Sequence, residues 1–429
     1  MSDRFVRTFS DDEQREVARA RLACPQAFSP RRPGRASSLY DRALREATTG
    51  GGMAHTTGIV YPWRGFTAHA RLPAVDAPRA TSVLDAPGCA RDACVALYDV
   101  SRLDMLAASL GNVVHVVSLD SEVQNAERVV SRRFGSVRVE GDLSASVRWS
   151  DDVGALFYGT MFGRMSRVDV LTMTRVDDFC LRCAAGTRWL TPHYAMEPCA
   201  SGALAVGSAM RVYMVDVRDA NRIVGSVSVS GEHDAYALSA SPDGVRLAVG
   251  TNGDGAHLVD MRVMRSYAHV MRGGNVKCVS WCPDRRDRLV MGDSRAAPDD
   301  AGASCFEACS SGAPTMLWHA RTAAPASGAF WGDGVVTLFT GWRDAPAGTR
   351  AAVAPCPEVF VVADAATGAT CAVTANNNEL NFTHMAASPV GTVAVTACPE
   401  QEMLFVHRAD AAAARRSPPP RKPQTLALR

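Results

Sequence analysis

Thirteen cysteines and a scatter of acids are the side chains of this sequence with chemistry to offer. Cys180-Leu181-Arg182-Cys183 is a C-x-x-C pair, and Cys305 and Cys309 form a second pair with three residues between them. Together they would supply the four thiolates of a structural zinc site. The preferred reading is a set of unrelated reduced thiols packed as small hydrophobes, so no metal and no cofactor is expected. Asp142, Asp151 and Asp152 stand among turn residues and read as turn or cap acids rather than a catalytic pair. The sequence has no Gly-x-Ser-x-Gly elbow, no phosphate-binding P-loop and no His-Glu-x-x-His. With no convergent nucleophile and base, the expectation is a protein without catalysis of its own. Ser29-Pro30-Arg31-Arg32 fits a proline-directed kinase site, where a phosphate would add roughly −1.5 to −2 charges within an Arg-rich patch. Ser417 is a second candidate phosphosite, and an unmodified Pro/Arg linker is the alternative.

The elements that carry these residues are bounded by composition. A chain of 429 residues holds two or three ordinary domains, or one large repeat domain with tails. Its 47% hydrophobic content suffices for a sizeable core. A formal charge of +2 gives no reason to expect nucleic-acid binding. No run of about 18 uncharged apolar residues occurs, so no membrane span is expected. The stretch MSDRFVRTFSDDEQRE lacks an apolar core, so it is not read as a signal peptide. The thiols are therefore expected to be reduced and intracellular.

Residues 1–82 show no sustained periodicity. Short helices are predicted at Asp11 to Leu22 and Ser38 to Ala47, within an otherwise flexible segment. From Val83 to about residue 408 one unit recurs: an apolar strand, a turn with Asp or Gly, a small-residue strand of the Leu-Ala-Val-Gly type, then an alternating strand. A repeat of ~40–45 residues with almost no helical periodicity predicts an all-β, seven-bladed β-propeller of the WD-repeat kind. Units fall at 94–119, 144–173, 202–217, 237–250, from Val276, from Gly328, and from Thr383 to Val406. The clearest turn is Ser241-Pro242-Asp243-Gly244, with Pro to set φ and Gly available for positive φ. Residues 295–314 and 343–358 are small- and polar-rich and are expected to be surface loops. Residues 409–429 are Ala-, Pro- and Arg-rich and are expected to form a flexible tail.

Val83 to Leu119 resembles the first blade of the Fizzy and Fizzy-related proteins, the WD-repeat coactivators of the anaphase-promoting complex. The Leu84-Asp85-Ala86-Pro87 opening and the strand beginning Leu110-Gly111-Asn112 carry the likeness. Asp216-Val217-Arg218 and Val276 to Pro283 extend it into later blades. The usual Trp-Asp dipeptides are missing, and "VLDAP" leans towards the Fizzy-related branch.

That resemblance implies a substrate-recognition coactivator of the anaphase-promoting complex ubiquitin ligase, in nucleus and cytoplasm, without nucleic-acid or membrane partners. Asp3-Arg4-Phe5-Val6 resembles the family's ligase-docking C-box, with Arg7 where the family has Pro. Leu39-Tyr40 resembles a second docking segment, and Leu428-Arg429 resembles the terminal Ile-Arg. Two degron sites are implied. A KEN-type site falls on Asp85, Asn252, Ser294 or Arg295, and Asn381, the last standing where the family has Arg. A destruction-box groove between blades one and seven falls on Leu84, Pro87 and Val114 for a Leu, with Asp85 and Glu400 for an Arg. Implied partners are ligase subunits, degron-bearing substrates, and checkpoint or pseudosubstrate inhibitors. The alternatives are a decoy that docks without delivering substrate, and a general WD-repeat scaffold.

Overall fold

The computed structural model describes residues 77–90, 95–119, 133–180, 193–199, 202–218, 222–229, 233–253, 255–270, 274–295, 301–308, 313–324, 326–340, 356, 358–376, 380–389, 391 and 393–408. The strands form seven four-stranded antiparallel blades, each ordered from the innermost strand outward. Blade one is Tyr98–Val100, Met105–Leu110, Val113–Ser118 and Arg133–Arg138; blade two is Ser144–Trp149, Ala155–Thr160, Arg164–Asp169 and Thr174–Cys180. Blade three is His193–Cys199, Ala203–Ser208, Arg211–Asp216 and Arg222–Ser228; blade four is Ala235–Ala240, Arg246–Gly253, Ala256–Asp260 and Arg265–Val270. Blade five is Val279–Trp281, Arg288–Arg295, Gly302–Glu307 and Thr315–Arg321; blade six is Gly328–Trp331, Val335–Phe339, Glu358–Asp364 and Thr370–Ala375. Blade seven has His384–Ala387, Val393–Cys398 and Met403–Arg408, and its outer strand is Arg79–Asp85 from the other end of the propeller.

That last strand closes the ring. It runs antiparallel to Met403–Arg408, from Arg79 opposite Arg408 to Asp85 opposite Met403. Val83-Leu84-Asp85 therefore belongs to blade seven, whereas the sequence places it at the head of blade one. The repeat pattern shows a strand there but not its distant partner, and the strand starts at Arg79, before the expected opening at Val83.

The small-residue signature of the second strands has a steric cause. A Cβ built on Gly250 would stand 2.3 Å from the Val276 carbonyl oxygen, and one on Gly292 1.8 Å from that of Ala326. The next blade's backbone packs directly on these strands, so larger side chains are excluded. The same effect accounts for a correction. Part of the expected loop 295–314 is strand: Gly302–Glu307 forms the third strand of blade five, with all but Glu307 buried. Its Gly, Ala, Ser and Cys read as loop residues, yet they are what a strand between tightly stacked neighbours requires. Of the other expected loop, 341–355 lies outside the described residues, and Glu358 begins a strand.

Turns between first and second strands repeat one device. Ser241 Oγ donates to Asp243 Oδ1 at 2.5 Å and accepts from the Arg246 amide at 2.9 Å. Ser150 does the same with Asp152 at 2.6 Å and the Ala155 amide at 2.9 Å. Apolar cores lie between blades, not within one. Ala107, Val114 and Val116 of blade one pack on Val147, Trp149 and Leu156 of blade two. Leu84 packs with Tyr98, Leu106, Val395 and Leu404 where blade seven meets blade one. Seams are also stitched by polar bonds: the Trp149 indole donates to the Asp99 carbonyl at 3.2 Å, and the Trp331 indole to that of Ser280 at 3.2 Å. Between blades four and five the two-residue strand Gly274–Asn275 pairs on both sides, joining them into one nine-stranded sheet.

Candidate functional site

Strand direction decides which residues can meet a ligand. Each inner strand starts on one face of the ring; the second strand ends there, the third starts there and the fourth ends there. Asp85 ends the closing strand, Asn252 lies near the end of a second strand, and Ser294 and Arg295 end another. Asn381 precedes the inner strand of blade seven, and Glu400 stands in the turn between that blade's second and third strands. All these positions therefore share one face. Arg79 and Arg408 lie at the opposite one.

Around blade seven the face is built by a tight turn. The Ala86 amide donates to the Glu402 carbonyl at 2.7 Å, and the Gly88 amide reaches the Glu402 carboxylate at 3.4 Å. This holds the Asp85 to Gly88 segment, with half-buried Asp85 and Pro87, against the Pro399 to Glu402 turn that carries half-buried Glu400. Beneath it lies Cys398, fully buried, its thiol pushed up to about 12 by burial. The approach to Asn381 is pinned by Asn376, whose amide nitrogen donates to the carbonyls of Cys356 (2.8 Å) and Leu380 (2.7 Å). On blades four and five, Asn252 and Ser294 are linked through Asn275, which pairs directly with each.

Two expected groove residues stand near this face but are buried. Val114 is 0% exposed in the core between blades one and two, and Leu84 is buried where blade seven meets blade one. Both side chains point into interblade seams, so neither lines a pocket open to a peptide. Period-two alternation shows that they are inward positions, but an inward position in a propeller faces the next blade. Asp3, Arg4, Phe5, Val6, Ser29, Leu39, Tyr40, Ser417, Leu428 and Arg429 lie outside the described residues, as do the helices expected in residues 1–76.

Of the four candidate thiols only Cys180 and Cys305 are described, and Asp142 and Asp152 sit in turns. Cys305 is fully buried with its thiol pushed up to about 12 by burial, while Cys183 and Cys309 fall outside the described residues. Among the described residues, no three His, Cys, Asp or Glu side chains converge to hold a metal. Asp142 accepts from the Leu143 and Phe162 amides at 2.7 and 3.0 Å, and Asp152 from the Gly154 amide at 3.0 Å, as turn acids do.

One charged cluster escaped the sequence reading. Arg148 on the inner strand of blade two donates to Asp99 of blade one at 3.1 Å and to Glu197 of blade three at 2.5 Å. Glu197 also accepts from the Ala240 amide of blade four at 3.2 Å. Burial raises the pKa of both carboxyls, and Arg148 opposes the rise. The cluster locks inner strands of four successive blades. Its signal was alignment of the repeats: Tyr-Asp-Val-Ser, Val-Arg-Trp-Ser and Met-Glu-Pro-Cys each carry the charge at the same place.

No protein-family model matches the chain. It is 30% identical over 215 residues to the WD repeat-containing protein slp1 of Schizosaccharomyces pombe; the match covers 49% of this chain and 40% of slp1. A chain of the structure "Crystal Structure of Mitotic Checkpoint Complex" superposes with a TM-score of 0.62 at 20% identity, over 81% of this chain and 99% of that one. The Cps50 (Swd1) β-propeller domain of Myceliophteria thermophila superposes with a TM-score of 0.58 at 11% identity, over 77% of this chain and 99% of that domain. The class is thus a seven-bladed WD-repeat propeller. The match to slp1 spans less than half of each protein and shows a likeness to a WD-repeat protein.

Proposed function

We propose that this protein is a coactivator of the anaphase-promoting ubiquitin ligase that presents degron-bearing proteins on the face carrying Asp85, Asn252, Ser294, Arg295, Asn381 and Glu400. The observation that supports this reading is that positions drawn from three separate blades share one face. Peptides bind where loops of several blades converge above a rigid ring. Asp85 and Glu400 there would pair with an Arg of an R-x-x-L segment, a charge-assisted contact of about 1.5–3 kcal/mol. Asp3 to Val6 and Leu428-Arg429 would dock on ligase subunits, and checkpoint or pseudosubstrate inhibitors would compete for the same face.

The test is capture of purified ligase by the wild-type protein, by Arg4→Ala, and by the protein lacking Leu428-Arg429. Capture by the wild type that both changes abolish supports the seat on the ligase. A wild type that captures nothing refutes the proposal and leaves a propeller scaffold. A second reading, a decoy that occupies the seat without taking substrate, is favoured by the burial of Leu84 and Val114. A decoy would bind ligase but not a labelled R-x-x-L peptide.

A further inference from the structure

Outer seams of the ring are keyed by a side chain seated on a glycine. The turn between the third and fourth strands of blade two runs from Asp169 to Thr174, and that of blade four from Asp260 to Arg265. Each is pinned by its aspartate: Asp169 Oδ1 accepts from the Thr172 amide at 2.8 Å, and Asp260 Oδ1 from the Arg262 amide at 2.9 Å. In each turn a methionine then takes the left-handed region, Met173 at φ 53° and Met264 at φ 48°. That backbone is unfavourable for a residue with a side chain, so packing must hold it. The packing comes from the outer strand of the preceding blade. A Cβ on Gly135 would stand 2.3 Å from Met173 Cγ and 3.1 Å from its sulfur; one on Gly225 would stand 2.7 Å from Met264 Cγ and 3.7 Å from its sulfur. Only glycine leaves room there for the thioether.

Blade six makes the same contact with the parts exchanged. Its left-handed turn residue is Gly368 at φ 73°, and Trp318 of blade five fills the gap, its ring 2.7 Å from where a Cβ would be. That seam is keyed by an indole; the seams at Met173 and Met264 are keyed by sulfur. Both methionines are half-buried, in turns that carry the exposed Leu171 and Val263. A small oxidant therefore reaches these sulfurs, whereas thiols such as Cys305 are fully buried. A thioether becomes a sulfoxide when its lone pair attacks a peroxide oxygen. The S–O bond forms, the O–O bond breaks, and the departing oxygen takes up a proton and leaves as water or an alcohol. Sulfur is oxidised and the peroxide is reduced. The product is bulkier and polar, and its oxygen needs a donor when buried. The seats cannot adapt to it. Gly135 and Gly225 are rungs of their own ladders, opposite Val116 and Met214, with no side chain to move aside or to donate.

We propose that Met173 and Met264 are modification sites for a hydroperoxide, and that their sulfoxides loosen the seams between blades one and two and between blades three and four. The experiment treats the whole chain with hydrogen peroxide and then restores the thiols with dithiothreitol. Sulfoxide at each methionine is followed by peptide mass mapping, alongside the melting temperature. Met210, 40% exposed in the turn between second and third strands of blade three, is the internal control. Its oxidation is expected to leave the melting temperature unchanged. The melting temperature should then fall by about 2–4 °C in step with sulfoxide at Met173 and Met264. In the double variant Met173→Leu, Met264→Leu, each seat stays filled by a side chain that peroxide does not attack, and the fall should be abolished. A fall that tracks Met210 overturns the assignment. So does an equal fall in the folded double variant, an unchanged melting temperature with both seats oxidised, or no sulfoxide at either seat. If the double variant does not fold, the time course of the wild type decides alone.

Discussion

Arg246→Met is the change that should tell most about how the blades are held. The Arg246 side chain is only 9% exposed, and it crosses the seam from blade four to blade five. Its guanidinium donates to the carbonyl of Ala308 at 2.5 Å and to that of Arg286, pairs with Asp243 at 3.3 Å, and lies 4.9 Å above the Trp281 ring. Met keeps the length and apolar stem but none of these contacts. Ala308 is fully buried, so its carbonyl has no ready access to water; an orphaned buried acceptor costs about 1–3 kcal/mol. The stacked cation contributes about 1–2 kcal/mol. Asp243 is the smaller loss, because it keeps Ser241 Oγ and the Val245 amide. The sum is about 3–4 kcal/mol, with Arg246→Lys in between and Asp243→Asn at about 1 kcal/mol or less. Urea titration followed by tryptophan fluorescence reads this order directly. A loss below about 1 kcal/mol for Arg246→Met would mean that apolar packing alone closes the seam and that the guanidinium is incidental.

Three further outcomes are expected. Arg148→Met leaves Asp99 and Glu197 facing each other with carboxyl pKa values already raised by burial; acids so shifted stabilise below their unfolded pKa and lose that contribution as pH rises through the folded one. The variant should therefore lose stability more steeply than the wild type as pH rises above the ordinary carboxylate range of about 4, reaching about 2–3 kcal/mol because Arg148 is 37% exposed; equal losses at pH 5 and 8 would refute the charge argument. His407 is held at about 3 by burial, so between its unfolded value of about 6.5 and 3 the unfolded chain binds the extra proton and stability falls as pH falls, by up to about 1.4 kcal/mol per unit. His407→Gln should flatten the acid limb of the stability profile by that slope, and an unchanged limb would count against it. Val114→Ala should cost about 2 kcal/mol through a core cavity without altering R-x-x-L peptide affinity; altered affinity at full stability would return Val114 to the groove.

Local chemistry was legible and distant pairing was not. Ser241 to Gly244 and Leu247 to Gly250 announce a turn and a packed strand because the cause lies within ten residues. Gly302–Glu307 was misread because small residues signal both a loop and a strand squeezed by its neighbours. The partnership of Arg79–Asp85 with Met403–Arg408 is invisible to any window, since more than three hundred residues separate them. The shared face was recoverable by combining repeat number with strand direction. The Arg148 cluster needed alignment of blades one, two and three against each other. Leu84 and Val114 show the limit of alternation: it sorts inward from outward but does not say which inward side chains abut another blade.

The closing pair also has a mechanical consequence. Arg79 and Arg408 face each other at the same end of it, and the chain continues beyond both. Tension drawn between those two continuations loads the pair as a zipper, rung by rung, starting at the Arg79 and Arg408 pair, whereas tension along the strands would load every rung at once. The ring is thus a clasp with a preferred direction of opening. It resists a pull applied at its blades, and it yields most readily to a partner that grips both continuations and draws them apart.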